Sequence, residues 1–417
     1  MAVSRRQFIR GGVAAFTVSF TAPEFLSELA RAQGARSRSL VVLYLSGGND
    51  ALNTVVPYLD PFYYSRRPNI SIPAGQALQI GSDRAGRALA LHPRLVGLRS
   101  IFNDGRLAVV MRTGYANSSR SHFEGTDIWE TGDPKSPSGM GWLGRYLETV
   151  PRDALAGWSA TRELPRALAS KSVSVPAIPD PRTYALNSPN SAAEALNERG
   201  VATRIASHVP VNRPQLAFIN TEAMGAMETL DRVASVASYA GTVTYNNNNA
   251  LAVALRTVAG SIVRGTGTRV YWVTIGGFDT HSTQGNQGGG GYATLMTTIN
   301  DALFAFYSDL RNQGLLNETM LIEFSEFSRR ITENGSQGTD HGAAGIMFAL
   351  GGGVRGGIYG TAPSLDPNSP TLENNGGDVS YETDFRSVYA RVLENWLGAS
   401  SVAVLNGDFR SGAPAIV

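Results

Sequence analysis

Leu40-Val41-Val42-Leu43-Tyr44-Leu45-Ser46-Gly47-Gly48-Asn49-Asp50 decides the fold. Six apolar residues follow one another without polar alternation. Such a run reads as a strand covered on both faces, as in a parallel sheet. Gly47-Gly48 ends the run, and Asn49-Asp50 suits either a helix N-cap or a site loop. Four similar runs follow, at 107–111, 270–275, 320–324 and 346–350, and all five are expected to be buried parallel strands. Between them lie helical rhythms. Leu295, Ile299, Leu303, Phe306 and Leu310 mark one across 292–314, and Phe385, Val388, Val392, Leu393 and Trp396 another across 381–397. Strands alternating with helices predict an α/β fold with a mainly parallel central sheet. Residues from about 150 to 250 are rich in Ala, Ser and Asn, and read as a helical insertion or cap. Asn246 to Asn249 form a low-complexity turn.

The composition narrows the chemistry. The chain has 417 residues, 42% of them hydrophobic and 17% charged, enough for a large core. It has no cysteine, which excludes disulfides, thiolate metal sites and a cysteine nucleophile. With five histidines (His92, His122, His208, His281 and His341) any metal site draws heavily on Asp and Glu.

Residues 1–32 read as a twin-arginine signal peptide. Arg5-Arg6 is followed by a short apolar stretch and by Ala30-Arg31-Ala32, an A-x-A cleavage site. Arg5, Arg6, Arg10 and Arg31 against Glu24 and Glu28 account for the whole net charge of +2. The remainder, residues 33–417, is neutral, which argues against nucleic acid as a partner. No later run is long enough for a stable membrane anchor. The expected location is periplasmic or secreted, with the twin-arginine translocase as a partner during export.

Polar clusters stand beside the apolar runs. Asp50 follows the first, Arg120-Ser121-His122 the second, Asp279-Thr280-His281 the third and Ser325-Glu326 the fourth, with Asp340-His341 beyond it. In an open α/β sheet the carboxyl ends of the strands share one edge, and ligands bind there. Carboxylates and imidazoles gathered at that edge suit zinc, or a related divalent ion. Two such ions would form a clamp for phosphoryl or sulfuryl transfer.

These segments resemble the bacterial domain of unknown function 1501 family, within the alkaline phosphatase-like superfamily. The resemblance rests on Leu43-Tyr44-Leu45-Ser46-Gly47-Gly48-Asn49-Asp50, Arg120-Ser121-His122-Phe123, Gly277-Phe278-Asp279-Thr280-His281, Ser325-Glu326-Phe327-Ser328-Arg329-Arg330 and Thr339-Asp340-His341-Gly342. It implies a three-layer α/β/α sandwich and hydrolysis of phosphate or sulfate esters, on small molecules or polymers. It implies one or two divalent ions, zinc first, with manganese or calcium as alternatives. By the same resemblance Asp50, Asp279, His281, Asp340 and His341 are metal ligands, and Glu326 competes for the role of Asp340. Ser121 is the nucleophile, with Ser118 and Ser119 as neighbouring alternatives. His122 is a proton donor, and Arg120, with Arg329, holds substrate oxygens. No histidine follows His341, where active relatives use one more. This departure opens the alternative of a catalytically inactive exported protein that binds an envelope glycan, a polymer or a partner protein.

Overall fold

The computed structural model describes residues 38–184, 192–208, 212–285 and 289–417. The expected leader, residues 1–32, lies outside the described residues. All five apolar runs are strands of one eight-stranded sheet. Its members are β1 (Ser39–Leu45), β2 (Leu107–Gly114), β3 (Gly157–Ser159), β4 (Val270–Ile275), β5 (Thr319–Phe324), β6 (Gly345–Gly351), β7 (Gly357–Tyr359) and β8 (Thr383–Asp384). The order is β7-β2-β6-β5-β1-β4-β3, with β8 also pairing β2. β1 lies parallel between β4 and β5, and the remaining pairs are parallel except those of β6.

β6 corrects one expectation. The run at 346–350 is a strand, but it pairs antiparallel with both β5 and β2. An apolar run reports burial on both faces and carries no direction, so the sequence pattern could not reveal this.

Every residue of β1 is buried, which explains its unbroken hydrophobicity. Val41, Leu43 and Leu45 face one core, and Leu40, Val42 and Tyr44 face the other. The first core packs against α1 (Val96–Asn103), α6 (Ala250–Arg264) and α7 (Gly290–Asn312). The second packs against α2 (His122–Thr131), α3 (Trp142–Leu147), α8 (Phe385–Arg391), the π-helical turn Val392–Leu397 and α9 (Ser401–Leu405). The fold is therefore a three-layer α/β/α sandwich around a mainly parallel sheet. Each fully buried Leu or Val contributes about 1.5–3 kcal/mol, so β1 alone anchors both layers. Residues 150–250 contain the edge strand β3 and the helices α4 (Ala192–Ala206) and α5 (Pro214–Ala237). Among the described residues no helix is long and apolar enough to cross a membrane.

Candidate metal centre

The register of the central strands sets the site. Leu45 pairs with Ile275 and Tyr44 with Phe324, so β1, β4 and β5 end at one level. Their exits, Ser46–Asp50, 276–281 and 325–330, emerge side by side. Because β6 runs antiparallel, the segment that precedes it, with Asp340 and His341, reaches this same edge. A histidine ahead of a strand thus meets ligands that follow strands.

Gly47 and Gly48 allow these loops to close on one another. Both have positive φ, at 119° and 78°. A Cβ on Gly47 would lie 2.5 Å from the Asp279 nitrogen, and one on Gly48 2.5 Å from the Phe327 ring. Any side chain here would push the loops apart. Arg329 then pins them. Its buried guanidinium donates to the carbonyls of Gly48 (2.7 Å), Thr339 (2.8 Å), Phe278 (2.9 Å) and Gly47, and to Asp279 Oδ1 (2.8 Å).

Asp279 Oδ1 is the focus of the site. His281 Nε2 lies 3.1 Å from it, His341 Nε2 3.2 Å and His122 Nε2 3.4 Å. His122, Asp279 and His341 offer ligand atoms within 4.8 Å of one another. Partial burial opposes ionisation of Asp279, but the hydrogen bond and positive charge of the Arg329 guanidinium outweigh it and hold its pKa down to about 2. The site carries a permanent carboxylate at its centre.

The far nitrogen of each imidazole faces an acceptor. His341 Nδ1 lies 2.7 Å from the Arg120 carbonyl, His122 Nδ1 2.7 Å from Glu326 Oε1, and His281 Nδ1 3.3 Å from Asp340 Oδ1. A carbonyl only accepts, so His341 Nδ1 carries hydrogen and Nε2 presents a lone pair when the ring is neutral. The same tautomer follows for the other two rings, which face carboxylates. His281 Nε2 and His341 Nε2 stand 2.9 Å apart. Two lone pairs that close repel unless a cation lies against both. His122 Nε2 is buried and makes no hydrogen bond among the described residues. Imidazoles held at one nitrogen by carbonyl or carboxylate, with the other aimed at a shared carboxylate, are the arrangement of a histidine-rich metal site with its supporting shell. The residues present fit a divalent ion.

Glu326 and Asp340 thus stand behind the imidazoles, and the choice between them dissolves. Glu326 is fully buried, and Gly47 N donates to its Oε1 at 2.9 Å. The structure sets Asp50 outside the cluster, against expectation. Its Oδ2 accepts from Arg67 Nη1 and Gln284 Nε2, both at 2.6 Å, and its Oδ1 caps Leu52 N. A guanidinium and an amide thus take both contacts of this oxygen. Gln284 continues outward: Thr280 Oγ1 and Thr339 Oγ1 each donate to its Oε1 at 2.9 Å. Asp50 therefore orients one buried amide that braces both ligand loops. Nothing in the pattern around 284 signals this role.

The arginines also differ from expectation. Arg120 Nη2 is bound to Asp378 (2.6 Å) and Glu373 (3.0 Å), so its guanidinium is spent and only its carbonyl serves the site. Arg329 is spent on the loops. Ser121 is exposed, caps α2 without a side-chain capping bond, and adjoins His122. Ser118 is buried, and Ser119 Oγ donates to Glu124.

Comparisons with known proteins find two distant structural likenesses and one family. A sulfatase, PsFucS1, from Pseudoalteromonas sp. is similar at 13% identity and a TM-score of 0.34, over 81% of this chain and 67% of that one. An alkaline phosphatase from the Antarctic bacterium TAB5 is similar at 11% identity and a TM-score of 0.31, over 78% and 95%. Likenesses this distant transfer no activity. A search of curated proteins gave no match. A family profile described as "Protein of unknown function (DUF1501)" matches residues 37–372. The chain belongs to the DUF1501 family.

Proposed function

We propose that this protein is a metal-dependent hydrolase of phosphate or sulfate esters with a single ion at Asp279. The observation that carries the reading is the convergence of three imidazole Nε2 atoms on Asp279 Oδ1, each ring supported at Nδ1. His122, His281, His341 and Asp279 would hold the ion. Zinc suits this nitrogen-rich set, manganese less so, and calcium prefers oxygen ligands throughout. One ion rather than two follows from Arg67, which neutralises Asp50. When bound, the ion polarises a phosphoryl or sulfuryl oxygen.

The chain supplies the rest. Ser121, exposed and next to His122 in sequence, would form the new bond from its Oγ to phosphorus or sulfur, losing its proton to solvent. The ester oxygen leaves as an alcohol, taking a proton from solvent. Water then releases phosphate or sulfate and restores the hydroxyl. The first turn of α2, which begins at His122, would bring its amides and positive dipole end to the developing charge. Glu326, Asp340 and the Arg120 carbonyl keep the rings in their tautomers. We also propose that residues 1–32 direct export through the twin-arginine translocase to the periplasm or beyond.

The commitment of Arg120 and Arg329 to protein partners favours a second reading: a non-catalytic exported protein that binds a glycan, polymer or partner protein. Elemental analysis of the purified protein, with Asp279→Ala and Asp50→Ala variants, separates the two. About one equivalent of zinc or manganese is expected, lost in Asp279→Ala and kept in folded Asp50→Ala, with ester turnover that falls in Ser121→Ala. Absence of metal after reconstitution sinks the hydrolase reading and leaves the second.

A further inference from the structure

The Asn-rich turn and one face of α7 enclose a cavity of about 500 Å³ beside the carboxyl end of β4. That size is ordinary for a small-molecule site. The wall formed by Thr274, Ile275 and Gly276 leads into the loop that carries Asp279. Two residues, Gly277 and Phe278, separate Gly276 from Asp279, about 10 Å of extended chain at most.

The lining has a definite chemistry. Thr294, Thr297, Thr298 and Asp301 recur at helical spacing, so they share one face of α7. The three hydroxyls donate back to Gly290, Ala293 and Thr294 carbonyls. Their oxygens are thereby turned into acceptors toward the cavity. Asp301 adds a carboxylate, engaged only at Oδ1 by Asn300 among the described residues. On the opposite wall the Asn248 side-chain amide makes no hydrogen bond among the described residues, and it offers both a donor and an acceptor. Among the described residues the wall carries no Lys, Arg or His.

An acceptor-rich wall without a cation repels an anionic body and suits one that donates many hydrogen bonds. We infer that this cavity is a saccharide subsite, which seats the hydroxyl-rich body of a substrate whose ester group reaches the metal centre. The substrate class is then an ester of a carbohydrate. This rests on the hydrolase reading for the ester, though not for the sugar.

The test is calorimetry and saturation-transfer NMR on the full chain with neutral xylo-, manno-, cello- and chitohexaose, and with sulfated forms of each. At least one neutral hexaose is expected to bind, unaffected by chelator. Thr297→Leu and Asp301→Ala, both at exposed positions, are expected to weaken that binding at least tenfold with metal content unchanged. A sulfated form is expected to bind more tightly only when the ion is loaded. Failure of every neutral hexaose, or equal binding by the variants, overturns the subsite. Metal uptake without saccharide binding overturns the subsite and leaves the metal reading standing. Saccharide binding without metal uptake keeps the subsite and removes the ester.

Discussion

Glu323 and Glu326 stand three residues apart, one inside β5 and one just past its end. Both are fully buried, yet their surroundings are opposite. Glu326 meets the Gly47 amide and the His122 ring. Neither oxygen of Glu323 has a hydrogen-bond partner among the described residues, and burial pushes its pKa up to about 8. A Phe348 amide nearby, outside bonding geometry, offsets only part of this. The contrast shows what the sheet edge does. Inside the strand the ladder consumes the backbone groups, and a carboxyl finds apolar walls. One turn past the edge, loops supply free amides and imidazoles. Burial is tolerated there because it is matched, and costly at 323 because it is not.

The sharpest way to break the contrast is Glu326→Leu. It orphans Gly47 N and His122 Nδ1 together. Leaving a buried donor unsatisfied costs about 1–3 kcal/mol, and loss of a carboxylate behind a histidine that holds a metal would cost about 10–100-fold in metal affinity. Urea titration and zinc competition measure the two effects. An unchanged zinc affinity would mean His122 is not held by Glu326.

Glu323→Leu should act the other way, stabilising by about 2–4 kcal/mol at pH 8.5, since it removes an unmatched buried carboxyl. The pH dependence has a definite sign. The native pKa of about 8 lies above the ordinary 4.5. Native Glu323 keeps its proton while the unfolded chain loses it. Its contribution is complete below about pH 4.5 and drains away as pH rises to about 8, then levels off. Urea unfolding at pH 5 and 8.5 should show this slope in the native sequence and not in the variant.

Gln284→Leu extends the comparison to Asp50. It deprives the Asp50 carboxylate of one partner and frees Thr280 and Thr339. A loss of about 1–2 kcal/mol and about tenfold in zinc affinity is expected. Gln284→Glu alone should be worse, because two carboxylates then meet, and Asp50→Asn in the same chain should restore much of the loss. A purely structural brace would change stability without moving zinc affinity.

The smallest effect belongs to Asp279. Its native pKa of about 2 lies below the ordinary 3.8. It supports the metal-free fold above about pH 4 and ceases to do so as pH falls toward 2. The group is half exposed, so screening keeps the effect small. Acid titration of the chelated protein against Asp279→Asn should reveal a slightly shallower transition in the variant.

Much of this was legible beforehand. Every strand of the central sheet that the apolar runs marked is present, and Asp279, His281 and His341 meet as their placement at strand ends suggested. What stayed hidden depends on direction and reach. The orientation of β6 leaves no trace in an apolar run. Arg67 lies seventeen residues beyond Asp50, and only the fold shows that its long side chain returns to it. Arg120 meets Glu373 and Asp378 across more than 250 positions. At the sequence level His122 reads as a proton donor, since one imidazole beside a serine carries no sign of which nitrogen is held.

β1 has its own consequence for how the chain is made. Its two neighbours begin about 230 and 280 residues later. Until they emerge, a chain in synthesis carries LVVLYL with both edges open, an invitation to intermolecular pairing. The proposed metal ligands span a similar distance, from residue 122 to 341. On the metal-centre reading, uptake would be a late event and would certify that the central strands have closed. In a chain truncated before residue 319, the first strand should aggregate and no zinc should be retained.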